Sequence, residues 1–233
     1  MASKETNSKT IKPSSFGEES KKVRLKICGM NKNTAEVAAL EPDYLGFIFW
    51  EGSKRNFEGD MPNLSPNIKK IGVFVDAPLE EVRSTIKTYD LDGVQLHGNE
   101  SPEYCLGLRP IRFSKPDRSL EIIKVFSVKD EFDFSVLAPF EAICNYFLFD
   151  TKGKLPGGNG YVFDWSLLKE YPSTKPYFLS GGIGLENSEE IKVFLESPEA
   201  KYCYAIDVNS KFEVTPGLKK INELKAFIKV LSN

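Results

Sequence analysis

Short apolar runs recur along the chain, each closing on a glycine or a polar side chain before a stretch with helical spacing begins. The first run, 23–30, alternates: Arg24, Lys26 and Cys28 fall on one face of a strand, Leu25 and Ile27 on the other. Gly29 breaks it, and Asn31 is expected to cap a helix over 34–40. The next run, 43–50, is continuously apolar from Tyr44 to Phe49, as a strand buried on both faces should be, and a polar loop with Ser53, Lys54 and Arg55 follows. A third strand over 69–75 leads to Pro78, which opens a helix carrying Leu79, Val82 and Ile86 at steps of three and four. Residues 93–98 form a short strand ending in His97, with Ser101-Pro102-Glu103 starting a helix. A fifth strand covers 121–126, and the less regular 132–144 behind it is read as partly helical. The sixth, 145–150, ends on Asp150; its following loop, 152–161, is glycine-rich and expected to stay mobile unless a ligand orders it. Strand seven, 177–180, runs into Gly181-Gly182 and a helix over 187–195. Strand eight, 202–208, leads to Asn209 and Ser210, and an amphipathic helix over 218–231 closes the chain.

Eight strands alternating with helices predict an α/β fold, a single (βα)8 TIM barrel of parallel strands; a doubly wound open sheet is the rival. The polar residues favour the barrel. Cys28, Arg55, His97, Asp150, Ser180 and Asp207 all stand at or just past the carboxyl ends of strands, which suits a closed ring with one mouth. The 233 residues, 41% of them hydrophobic, suffice for one such domain over 23–233, and no linker divides it. Residues 1–22 are polar, with Pro13, Ser14 and Ser15, and are expected to form a disordered arm. Glu5, Glu18 and Glu19 count against an organelle transit peptide, so a cytoplasmic protein is expected. A formal net charge of −2 offers no bulk positive field, which excludes nucleic acid and anionic membrane as partners. No apolar run approaches the roughly 18 residues of a membrane span. The four cysteines are scattered in sequence without a C-x-x-C pair, and His97 is the one histidine, so neither a zinc site nor a disulfide framework is expected.

The strand ends carry the chemistry. A cysteine in an apolar strand is most often an inert small hydrophobe, but Cys28 at the barrel mouth can equally be a working thiol. Lys26, two residues earlier on the same face, is expected to lower its pKa toward a usable thiolate. Asp150 ends an apolar strand, where desolvation disfavours the carboxylate and makes a general acid; a helix cap or salt bridge is the alternative. Arg55 suits a bidentate grip on a substrate carboxylate, or is a solvated charge. His97 lines the pocket or is a hydrogen-bonded structural histidine; without a G-x-S-x-G elbow it belongs to no hydrolase triad. Gly181 and Gly182 after strand seven, with Asp207, Asn209 and Ser210 at the end of strand eight, occupy the usual phosphate position of a barrel.

Taken in order, Lys26-Ile27-Cys28-Gly29-Met30, Gly46-Phe47-Ile48-Phe49, Ser53-Lys54-Arg55, Val94-Gln95-Leu96-His97-Gly98, Phe149-Asp150-Thr151, Ser180-Gly181-Gly182-Ile183 and Asp207-Val208-Asn209-Ser210 resemble the phosphoribosylanthranilate isomerase family from Val23 to the C-terminus. The resemblance implies an Amadori rearrangement of N-(5-phosphoribosyl)anthranilate in tryptophan biosynthesis, without cofactor or metal. It implies Asp150 as general acid and Cys28 as general base. It further implies Arg55 on the anthranilate carboxylate, Gly181, Gly182, Asn209 and Ser210 around the phosphate, and Asp207 and His97 in the pocket wall. The partner is then a small anionic sugar phosphate, and the assembly a monomer or a homodimer. Lys211 departs from the pattern, standing where the family usually has glycine, and could add to phosphate binding. Asn159 replaces a common threonine, and 109–117 is longer and more polar than the pattern suggests. Other readings are a different sugar-phosphate barrel such as indoleglycerol-phosphate synthase, whose lysine and glutamate machinery is not found at these strand ends, or a phosphate-ligand sensor without chemistry.

Overall fold

Eight parallel strands hydrogen-bond in chain order and close on themselves: β1 Arg24–Cys28, β2 Tyr44–Ile48, β3 Lys69–Phe74, β4 Gly93–Leu96, β5 Glu121–Val128, β6 Tyr146–Thr151, β7 Tyr177–Leu179 and β8 Cys203–Val208. The computed structural model describes residues 23–109, 119–129, 131–151 and 164–232. The arm over 1–22, the glycine-rich loop over 152–161 and nearly all of 109–117 therefore lie outside the described residues. β8 pairs with β1, with Lys26 opposite Asp207, and this pairing rules out the open sheet.

Strand alternation divides the core in two. Outward residues such as Leu25, Ile27, Leu45 and Phe47 join the larger cluster beneath the surrounding segments. Inward residues Tyr44, Ile71, Ile123, Val125, Leu148, Phe178 and Ala205 fill the barrel interior. At its amino-terminal end the filling is aromatic: Tyr44 and Tyr146 meet Phe178 edge-on with centroids 5.4 and 5.3 Å apart. Polar side chains take over toward the carboxyl end, where Lys26, Gln95, Asp150 and Asp207 are all buried.

The connections differ more from the expected pattern than the strands do. Helices α1 Thr34–Ala38, α2 Leu79–Tyr89, α3 Pro102–Leu108, α4 Ser188–Glu196 and α5 Ile221–Ser232 are present. Asn33, rather than Asn31, precedes α1, and it makes no side-chain cap; Asn31 instead donates to the Asn56 carbonyl at 2.7 Å. No helix follows β2, whose loop returns through an isolated bridge between Ile48 and Asn56. The segment behind β5 is a 3-10 helix, Phe134–Phe140, interrupted by Pro139. Residues 218–219 do not begin the last helix. They form β10, Leu218–Lys219, antiparallel to β9, Glu213–Thr215. In contrast, α3 starts as the sequence expects, with the Ser101 side chain accepting from the Tyr104 amide at 3.2 Å and Pro102 in the first turn.

Replacing Ser101 with alanine orphans that amide. Chemical denaturation should show a loss of about 1 kcal/mol with unchanged cooperativity, and an unchanged midpoint would remove the cap from the account of α3.

Candidate active site

The carboxyl ends of the strands open into a cavity of about 750 Å³, its mouth included. Its wall includes Cys28, Arg55, His97, Asp150, Gly181, Gly182, Asp207, Asn209 and Ser210, so the structure gathers every expected site residue in one place.

Cys28 is the last residue of β1 and is 4% exposed. Its neighbour in register on β2 is Gly46, where an added Cβ would lie 2.8 Å from the Cys28 sulfur. The glycine is what leaves room for the thiol. Beneath the thiol, the Lys26 ammonium donates to both carboxylate oxygens of Asp207 at 2.9 Å, with Lys26 fully buried. The expected activation of Cys28 by Lys26 is thereby corrected. Burial pushes the thiol up, and although Lys26 and Lys219 pull it down, Asp207 opposes them; the net direction is upward. Burial alone would lower Lys26, but Asp207 and Cys28 together raise it. Burial likewise lifts Asp207 above the usual carboxylate range against the pull of Lys26, and the negative charge of Asp150 adds to the lift.

Asp150, inward-facing on β6, has one carboxylate oxygen 3.4 Å from His97 Nε2. His97 follows β4, and its Nδ1 lies 3.4 Å from Gln95 Nε2. The β4 loop is fixed from below: buried Lys124 donates to the Gly98 carbonyl at 2.8 Å and to Glu100 at 2.9 Å, while Glu100 accepts from the Gly98 amide. His97 thus faces Asp150 from a loop held by a buried hydrogen-bonded network.

Arg55 is neither solvated nor on a loose loop. Its amide donates to Ser53 Oγ at 3.1 Å, and its guanidinium binds Glu213 through Nε at 2.9 Å and Nη2 at 2.6 Å. Glu213 also accepts from Lys219 at 2.9 Å; burial would raise its pKa, but Arg55 and Lys219 hold it below the usual carboxylate range. Lys219, fully buried along its side chain, donates in addition to Asn209 Oδ1 at 2.8 Å. Since lysine can only donate, Asn209 must present its oxygen to Lys219, which turns its NH2 away from that contact. Gly29, at φ +74°, lets these groups converge: a Cβ there would meet Asn209 Oδ1 at 2.6 Å and Arg55 Cδ at 2.9 Å. Gly181 and Gly182 also have positive φ, 95° and 67°, and Gly181 packs against Thr151 too closely for any Cβ. Lys211 reaches the cavity wall but pairs with Glu186 at 2.7 Å.

A family described as N-(5'phosphoribosyl)anthranilate (PRA) isomerase matches residues 25–230. The chain belongs to this isomerase family. An N-(5'-phosphoribosyl)anthranilate isomerase of Parabacteroides distasonis is 44% identical over 214 residues, covering 88% of this chain and 91% of the relative. One from Phocaeicola vulgatus is 34% identical, covering 89% and 97%. Among solved structures, the phosphoribosyl anthranilate isomerase of Thermus thermophilus superposes with a TM-score of 0.72 at 28% identity, covering 90% of this chain and 98% of that one. Another member, solved in complex with reduced 1-(o-carboxyphenylamino)-1-deoxyribulose 5-phosphate, superposes with a TM-score of 0.67 at 28% identity and the same coverage.

Four residues of this site are given no role by the sequence: Gly46, Gln95, Glu213 and Lys219. An isolated glycine within an apolar strand signals a close approach, which would have found Gly46. Pro216-Gly217 between Val214 and Leu218 is a turn signal that would have found the hairpin carrying Glu213 and Lys219. Gln95 Oε1 is buried without a partner among the described residues, a property that no sequence pattern carries.

The direction of the Cys28 shift is measurable. Its alkylation by iodoacetamide, followed on the Cys28 peptide by mass spectrometry, should rise with pH through a midpoint above the ordinary thiol value of about 8.5. A midpoint below that value would mean that Lys26 and Lys219 outweigh burial.

Proposed function

We propose that the chain converts N-(5-phosphoribosyl)anthranilate into 1-(2-carboxyphenylamino)-1-deoxyribulose 5-phosphate, an aldose-to-ketose isomerisation in tryptophan biosynthesis, with Asp150 as acid and Cys28 as base. The observation that carries the assignment of roles is the placing of one carboxyl and one thiol on β6 and β1, across a single cavity bounded by groups suited to two anions.

Asp150 in its protonated form donates to the furanose ring oxygen. The C1–O bond breaks as the anilino nitrogen lends its lone pair, leaving an open-chain iminium. The Cys28 thiolate then takes the proton from C2, and the C2–H electrons neutralise the iminium to give an enolamine. Transfer of a proton to C1 and loss of the C2 hydroxyl proton yield the ketone, so no net oxidant or reductant is consumed. Since Cys28 is buried and raised, its thiolate is a minority form near neutral pH. His97 orients Asp150. Arg55, already anchored by Glu213, keeps its outer guanidinium edge for the anthranilate carboxylate, while Gly181, Gly182, Asn209 and Ser210 take the phosphate. Holding both anionic ends fixes C2 between base and acid. The reaction is assigned to the cytoplasm, consistent with the acidic residues scattered through 1–22; no helix among the described residues is long and apolar enough to cross a membrane.

Turnover is followed by the fluorescence of the anthranilate conjugate. Cys28→Ala and Asp150→Asn should each lower kcat by about 10²- to 10⁴-fold while leaving the thermal transition in place. Near wild-type rates in either variant would remove that residue from the mechanism.

A further inference from the structure

We propose that Lys211 is a phosphate ligand held in reserve by Glu186, and that this latch makes the cavity select a dianionic end group over a singly charged or neutral one. The inference rests on the isomerase reading above, which supplies the sugar phosphate.

Among the described residues, the cations at the cavity fall into two kinds. Lys26 is fully buried on Asp207, and Lys219 is buried on Glu213 and Asn209. Arg55 is fastened to the same Glu213 through two nitrogens. Drawing any of these off its partner would strand a buried carboxylate, which is strongly unfavourable. Lys211 is different. It stands in the wall beside Gly181, Gly182 and Ser210, its side chain 34% exposed, and its partner Glu186 is 58% exposed.

An exposed ion pair of this sort is worth little, and a released Glu186 simply returns to water. A phosphate dianion offers Lys211 a stronger charge-assisted partner beside Gly181, Gly182 and Ser210, which offer it only neutral donors. For a dianion the exchange is downhill; for a monoanion one single charge merely replaces another. The backbones on both sides are fixed, so only side-chain tips move. Phe212, next to Lys211, is fully buried with its ring 5.1 Å from Phe227, and the Gly184 amide donates to Asn187 Oδ1 at 2.9 Å across the turn that carries Glu186.

Both residues are exposed enough to replace without loss of fold. Steady-state kinetics on N-(5-phosphoribosyl)anthranilate would be combined with competitive inhibition by sulfate, a dianion, and nitrate, a monoanion. Lys211→Met should raise KM and the sulfate Ki by about 10-fold, with kcat and the nitrate Ki little changed, and Lys211→Arg should restore most of the loss. Glu186→Gln should lower the sulfate Ki in the wild-type background and have no effect once Lys211 is methionine. A KM and sulfate Ki for Lys211→Met that match wild type would overturn the proposal, as would an equal effect of Glu186→Gln in both backgrounds, which is simple charge repulsion. Calorimetric titration of sulfate separates this inference from the isomerase reading. Absence of turnover in the wild-type chain would defeat that reading, while sulfate binding with or without Lys211 would still decide the role of the lysine.

Discussion

The bond between Lys26 and Asp207 sits where the barrel closes. Their strands, β1 and β8, are the first and last of the ring, and the two residues face each other in register with the ammonium on both carboxylate oxygens. A lysine pointing into a barrel interior is tolerable only when paired, and removing one partner of such a pair costs about 3–5 kcal/mol. The seam of the ring is therefore specified by charge as well as by backbone hydrogen bonds. Below it lie apolar and aromatic side chains; above it lies the cavity.

That pairing also sets the chemistry of the floor. Lys26 is close enough to Cys28 to favour its thiolate, but desolvation prevails at the thiol and Asp207 opposes Lys26. The result is a neutral floor carrying a protonated sulfur, in a space that Gly46 keeps open by having no side chain. Across the cavity, Asp150 is held by His97, whose ring meets Gln95 on its other side and whose loop is tied down through Gly98, Glu100 and Lys124.

The chain's local chemistry reveals the barrel because its strands obey simple periods. The alternation through Arg24, Lys26 and Cys28 places the thiol inward, and Pro78 and Ser101 mark helix starts that the structure reproduces. The unresolved part of that reading has physical causes. β10 has two residues and β9 three, too few for any period to register, so Leu218 and Lys219 merge by pattern into the helix that follows. The return after β2 is held by the Ile48–Asn56 bridge and side-chain contacts instead of a helix. The net direction at Cys28 is not legible in the sequence because it is set first by burial, and then by a far neighbour that spacing conceals: Asp207 is 181 residues from Lys26 in sequence. Arg55 is the same case, since its partner Glu213 lies 158 residues on.

The small hairpin outside the ring has one more consequence. Glu213 on β9 holds Arg55, and Lys219 on β10 holds both Glu213 and Asn209, so Arg55 and Asn209 hang from one support. Neither can shift without the other. The spacing between Arg55 and Asn209 is thus set in part by residues 213–219, outside the eight strands.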